Sequence, residues 1–381
     1  MQYRLLGKTG ERVSALGYGC MRLPSLDSPF GGEKIDEEKA IRLIRHAVDQ
    51  GVNYLDTAFM YHGGNSETLV GKAIRDGYRE KVFLASKSPF GGFQEPADFD
   101  RHLDIQLQRL GVDTIDFYLL HAASRNSWEN VALKFDLLSK LEKAKAAGKI
   151  RHIGFSFHDD YDAFQEIVDA YDWEFCQIQL NYIDVVHQAG LRGLEYAAAK
   201  GMGVIVMEPL LGGKLANPPE NVRRVLPADK SPVQTALDFL WNRPEVSLIL
   251  SGMGTMEQLE DNLAYADASR PGKLSEAELA VYAQAKQVYD TMARVPCTKC
   301  AYCMPCPHGV NIPKNFRIWN DLAMYGNEEI TRQNYFKYLP EAERADKCKA
   351  CGKCEKVCPQ SLSIRENLKQ VQKEMEALKN K

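Results

Sequence analysis

Eight apolar, β-branched runs recur along this chain, and each is followed by a segment with helical spacing. The runs are VSALGYGCM, VNYLDTAF, KVFLASKS, TIDFYLLHA, IRHIGFSFH, FCQIQLNYI, GVIVMEPL and VSLILSGM. Between them, DEEKAIRLIRHAVDQG sets Ile41, Ile44, Ala47 and Val48 on one helical face. SWENVALKFDLLSKLEKAKAAGK does the same with Leu133, Leu137, Leu141 and Ala144, and Gly148 is placed to end it. Pro232 opens SPVQTALDFLWN, where a first helical turn tolerates it. Strands alternating with helices imply a parallel sheet covered by helices. Eight such units in roughly 250 residues make a (β/α)8 barrel. A doubly wound open sheet is the rival, but it ordinarily carries G-x-G-x-x-G after its first strand, and GYGCMR does not fit. A short hairpin turning at GKTG is expected to open the chain.

A barrel carries its chemistry at the C-terminal ends of its strands. Those ends supply Asp56, Tyr61, Lys87, His121, Ser156, Gln177 and Glu208. Charge at a buried strand end needs a partner. A tyrosine can protonate the oxygen of a carbonyl that accepts hydride, and an ammonium such as Lys87 favours the tyrosinate and lowers its pKa. Asp56 would pair with Lys87. His121 could donate a hydrogen bond to the carbonyl oxygen.

NYLDTAFMYHGGNSETLVGKAI, KVFLASKS, DFYLLHA and LSGMGTMEQLEDNL follow one another in the order that aldo-keto reductases show. Residues 1 to 268 resemble that family. The resemblance implies Asp56, Tyr61, Lys87 and His121 as the catalytic tetrad. It also implies NADP(H) or NAD(H) held extended across the barrel mouth. Ser156 and Gln177 would face the carboxamide and Met207 the nicotinamide ring. Glu208, Pro209, Leu210, Gly212 and Lys214 would lie near the pyrophosphate. Gly252, Gly254, Thr255, Gln258 and Asn262 would line the adenosine end. Phe157 departs from the family's asparagine, and Met207 stands where an aromatic is frequent. Gln258 stands where NADPH-specific members often carry arginine, and SGMGT lacks a cation for a 2′-phosphate.

Eight of the ten cysteines fall in two runs, CTKCAYCMPCP from Cys297 and CKACGKCEKVCP from Cys348. The second has the C-x2-C-x2-C-x3-C-P spacing that ligates [4Fe–4S] clusters, and the first is one residue short before its fourth cysteine. Three thiolates two residues apart wrap one cube, and the fourth reaches the other. Cys297, Cys300, Cys303 and Cys358 are therefore expected on one cluster, and Cys348, Cys351, Cys354 and Cys306 on a second. Two all-thiolate zinc sites are the alternative. The helical spacing between the runs resembles an α-helical ferredoxin, as in the ferredoxin-bearing branch of the family. Cys20 and Cys176 are expected as small core residues. The tail sets Leu368, Val371, Met375 and Leu378 on one face.

The expected organisation is α/β: an aldo-keto reductase barrel over 1–270, a connecting helix over 271–293, and a ferredoxin-like domain over 294–381. A net charge of −3 offers no basic excess for nucleic acid. No apolar run reaches membrane-spanning length, and the expected location is cytoplasmic. The expected activity interconverts a small-molecule carbonyl and alcohol with NAD(P)H, while the clusters exchange electrons with a partner protein or serve structure. The other reading is a nicotinamide-binding protein for cluster-linked electron transfer or redox sensing, without carbonyl turnover.

Overall fold

The structure is a computed structural model that describes residues 1–28 and 31–379. By contact the chain divides into two compact units. Residues 1–212 and 233–279 form the first, and residues 213–232 and 280–381 the second.

In the first unit, β1 (Tyr3–Leu5) and β2 (Arg12–Ser14) form an antiparallel hairpin. Eight further strands close into a parallel barrel: β3 (Leu16–Gly19), β4 (Tyr54–Asp56), β5 (Phe83–Ser88), β6 (Ile115–Ala123), β7 (Ile150–Phe157), β8 (Phe175–Gln179), β9 (Gly203–Met207) and β10 (Val246–Ser251). β10 pairs with β3 to complete the ring. The interior is filled rather than hollow: Tyr54, Phe117, Phe175, Ile205 and Leu248 pack with Leu6 and Val13 of the hairpin. The hairpin thus supplies side chains to the same core as the strands. Its turn comes so close to β9 that a Cβ on Gly7 would stand 2.0 Å from the Gly203 nitrogen, and Gly7 has φ +52, so only glycine fits.

The helices follow the apolar faces with one exception. α1 (Glu37–Asp49) buries Ile44, Ala47 and Val48 as expected, while Ile41 is half-buried and Leu43 joins the buried face. The segment after β6 does not run as one helix. Asp136 adopts φ 51, which breaks it before a helix over Leu137–Ala146. Leu133 therefore leaves the face shared by Leu137, Leu141 and Ala144 and is 53% exposed. Gly148 has φ +75 beyond that helix end. Cys20 and Cys176 are wholly buried. Phe157 is buried too and stacks edge-on against Phe164 at 5.1 Å.

The helix over Glu276–Met292 enters the second unit from residue 280, and that unit also holds helices over Ile312–Tyr325, Glu328–Gln333 and Ile364–Lys379, with no strand among its described residues. Its core gathers Val310, Ile312, Phe316, Trp319 and Tyr335 with Leu368, Val371, Met375 and Leu378 of the last helix. Six of the clustered cysteines pack against that core. Among the described residues, no helix is long and apolar enough to cross a membrane.

Candidate functional site

Because all eight barrel strands are parallel, their C-terminal ends share one end of the barrel. Asp56 ends β4, and Lys87 lies one residue before the end of β5. Lys87 is fully buried; its Nζ donates to Asp56 Oδ1 at 2.6 Å and to the Thr57 carbonyl at 2.8 Å. It also lies 5.0 Å from the centre of the Tyr61 ring. Burial works against the Lys87 ammonium, but Asp56 and Tyr61 outweigh it and hold its pKa above the usual value. Burial pushes the Asp56 carboxyl up against the pull of Lys87, and Asp56 Oδ2 has no hydrogen-bond partner among the described residues.

Tyr61 corrects one expectation. Burial raises its hydroxyl above the ordinary range, and this outweighs the lowering by Lys87. The phenol is thus protonated at neutral pH, the form a proton donor needs. The His121 ring meets Tyr61 edge-on at 5.7 Å. Burial, then Lys87 and His158, depress the His121 pKa to about 3, so the imidazole is neutral. His121 lies within the strand irregularity between Leu120 and Ala123. There Ala122 takes φ 55 and its N–H donates to Ser156 Oγ at 2.7 Å.

Ser156 and Gln177 are both buried in neighbouring strands. Gln177 Nε2 lies 3.3 Å from Met207 Sδ, and Gln177 Oε1 is buried without a hydrogen-bond partner among the described residues. An orphaned amide oxygen fits a site built for a ligand that donates to it. Glu208, Leu211, Gly212 and Gly213 have left-handed backbone, so the loop after β9 turns sharply through Pro209 and Leu210. At the other end of the strip, Thr255 caps the helix over Met256–Asp267 by accepting from the Gln258 N–H. Gln258 Oε1 accepts from the Gly254 N–H at 2.9 Å, and Asn262 Nδ2 donates to Ser251 Oγ at 3.2 Å. Gly252 is exposed between them. Lys214 turns elsewhere: Nζ donates to Asp321 at 2.7 Å and lies 4.9 Å from the Tyr325 ring centre, all within the second unit.

The cysteines border two open cavities. One is lined by Cys297, Cys300, Cys303 and Cys358. The other is lined by Cys306, Cys348, Cys351 and Cys354. Among the described residues, no three such side chains close on one point as a single-ion site would require. The residues flanking the second cysteine of each run share one backbone form: Lys299 and Ala301 have φ 60, Ala350 φ 52 and Gly352 φ 72. Such left-handed steps turn backbone N–H groups toward anionic sulfur, as the Ala350 N–H does toward Cys348 Sγ at 3.4 Å. Four sulfurs around each cavity, with donors aimed at them, fit an iron–sulfur cluster.

Residues 15–278 match the aldo/keto reductase family. The chain belongs to that family. Residues 296–363 match the 4Fe-4S dicluster domain. L-galactose dehydrogenase of Arabidopsis thaliana is 29% identical over 289 residues, which is 69% of this chain and 88% of that protein. The uncharacterized oxidoreductase YrpG of Bacillus subtilis (strain 168) is 27% identical, covering 71% and 92%. Among solved structures, the holo form of aldo-keto reductase AKR11C1 from Bacillus halodurans superposes with a TM-score of 0.64 at 26% identity, over 75% of this chain and 96% of that one. An aldo-keto reductase from Klebsiella pneumoniae in complex with NADPH gives 0.61 at 25% identity, over 76% and 95%.

Beside Asp56 and Lys87 of this aldo/keto reductase, Glu67 of the NYLDTAFMYHGGNSETLVGKAI stretch meets Gln106 and Arg109, which belong to no motif. Glu67 is fully buried, and its Oε1 accepts from Ser86 and from Gln106, each at 2.6 Å. Arg109 donates to Glu67 Oε2 at 3.2 Å and to the Phe59 carbonyl at 3.1 Å, and Gln106 donates to the Lys87 carbonyl at 3.1 Å. One buried carboxylate thus ties the Tyr61 loop to the Lys87 strand. Glu67→Ala leaves an arginine and an amide without their acceptor. It is expected to cost on the order of 3 kcal/mol, read as a lower urea midpoint at unchanged m. His62, beside Tyr61, takes φ 53; its Nε2 accepts from the Leu23 N–H at 3.2 Å and its Nδ1 pairs with the Gly32 carbonyl at 2.5 Å.

Proposed function

We propose that this chain interconverts a carbonyl and an alcohol with a nicotinamide dinucleotide, and holds two [4Fe–4S] clusters for electron exchange with a partner protein. The observation that carries the first part is the buried Lys87–Asp56 pair beside a protonated Tyr61 and a neutral His121. A bound nicotinamide supplies or accepts the hydride. Tyr61 delivers a proton to the carbonyl oxygen as charge develops there, and the Lys87 ammonium stabilises the tyrosinate left behind. Asp56 keeps Lys87 charged and in place. His121, being neutral, offers an N–H to the same oxygen without repelling Lys87. Gln177 Oε1 and Ser156 would hold the carboxamide, and the orphaned oxygen of Gln177 supports that reading.

Each cluster, when bound, carries one electron at a time. The two cavities support the crossed ligand set, Cys297, Cys300, Cys303 and Cys358 on one and Cys306, Cys348, Cys351 and Cys354 on the other. Small-molecule carbonyls are the substrate class. The name of the Arabidopsis relative places sugar hydroxyls among the compounds to try. The test uses protein purified without oxygen, NADPH or NADH, and a panel of aldehydes, ketones and aldoses, following nicotinamide absorbance. Carbonyl-dependent oxidation supports the proposal. Dinucleotide binding without turnover on any carbonyl or alcohol rejects the catalytic part.

The His121 imidazole carries its own expectation. Its folded pKa lies well below the ordinary 6.5, so the unfolded chain takes the proton first. Its contribution to stability is present above pH 6.5 and is lost as pH falls from there toward 3. Histidine side-chain NMR should show His121 neutral and not titrating between pH 5 and 8. A midpoint near 6.5 would remove the neutral donor from the scheme.

A further inference from the structure

We infer that Arg22 is the cation that meets the dinucleotide's diphosphate, an inference that rests on the nicotinamide reading above. Lys214, the basic residue of the loop after β9, is paired with Asp321 and lies against Tyr325. Gln258 spends its amide oxygen on the Gly254 N–H. Arg22, in the short turn that follows β3, is exposed, and no carboxylate pairs with it among the described residues. Its Nη1 donates to the Gly212 carbonyl at 3.0 Å. A Cβ added to Gly212 would stand 3.2 Å from Arg22 Nη2, and one added to Gly252 would stand 3.4 Å from Arg22 Cβ.

The Arg22 side chain therefore runs from Gly252, the first residue after β10, to Gly212 within the loop after β9, where its guanidinium sits. Gly252 is exposed, so an extended ligand can approach its backbone beside Arg22, and a planar five-donor fork matches paired phosphate oxygens. The single bond to a neutral carbonyl is weaker than a charge-assisted bond to phosphate, so Arg22 can exchange one for the other. The strip after β10 has no cation of its own. Arg22, contributed by the loop after the first barrel strand, supplies the charge.

The test is equilibrium titration of the full chain with NADPH and with NADH, read by fluorescence, for the unaltered protein and for Arg22→Gln, Arg22→Lys and Lys214→Gln. Arg22→Gln is expected to weaken both dinucleotides by about 10- to 100-fold and to flatten the dependence of affinity on salt. Arg22→Lys should restore part of both. Lys214→Gln should lose less than a third as much. A residue that only tied two loops together would leave the salt slope unchanged. Unaltered affinity in Arg22→Gln, an unaltered salt slope, or a larger loss in Lys214→Gln overturns the inference. A loss for NADPH alone also overturns it, because the contact would then be with the 2′-phosphate. If the unaltered protein binds neither dinucleotide, the nicotinamide reading itself fails.

Discussion

Tyr61→Phe is expected to lower carbonyl turnover by about a thousandfold while leaving dinucleotide affinity within a few-fold. A positioned proton donor contributes about 10² to 10⁴ in rate, and the phenol is the group placed to donate. The substitution removes one oxygen and keeps the ring, so the approach of Lys87 at 5.0 Å and the edge contact of His121 at 5.7 Å can persist. The loss should therefore fall on kcat and on kcat/KM alike, the mark of an interaction made in the transition state. Single-turnover absorbance of the bound nicotinamide measures it directly. A variant that retained full turnover would show that the proton comes from elsewhere and would detach Lys87 and Asp56 from the chemistry. Lys87→Met is a harsher change, because it leaves the Asp56 carboxylate buried without its partner, and a fall in stability would accompany the fall in rate.

The double variant Cys300→Ala with Cys358→Ala should retain about half of the iron and acid-labile sulfide, although it touches both cysteine runs. Both residues line the same cavity, so one cluster is lost and the other keeps all four of its thiolates. Cys300→Ala with Cys306→Ala touches a single run and both cavities, and it should lose nearly all the iron. If each run instead held its own cluster, the two results would be exchanged. EPR of the reduced proteins gives an independent count, and zinc in place of iron would reject the assignment entirely.

The barrel was legible because a buried parallel strand and an amphipathic helix have different periods, and eight alternations leave few other folds. Asp56, Lys87 and His121 stood out because ionisable side chains rarely stand at buried strand ends without a partner, and the Asp56–Lys87 bond supplies one. Spacing also suggested which cysteines gather, and the two cavities group them the same way, Cys297, Cys300, Cys303 and Cys358 around one and Cys306, Cys348, Cys351 and Cys354 around the other. What escaped depended on contacts distant in sequence. Nothing near Tyr61 signals that burial outweighs Lys87 at its hydroxyl. Nothing near Lys214 signals that Asp321, more than a hundred residues on, takes its charge. Leu133 kept its helical spacing on paper, while one left-handed residue at Asp136 rotated it out of register. Gln106 and Arg109 read as ordinary polar positions of a surface helix until Glu67 is seen beneath them.

Residues 213–232 belong by contact with residues 280–381, although the ribosome makes them about fifty residues earlier. Leu215 and Val222 are fully buried and Leu226 nearly so. At roughly 5–20 residues per second, the last hundred residues take on the order of 5–20 s to appear. During that interval the nascent chain carries this apolar excursion before its partners have been synthesised. The loop that follows β9 is thus among the last parts of the protein to mature, and a barrel released early from translation would present it to chaperones and proteases.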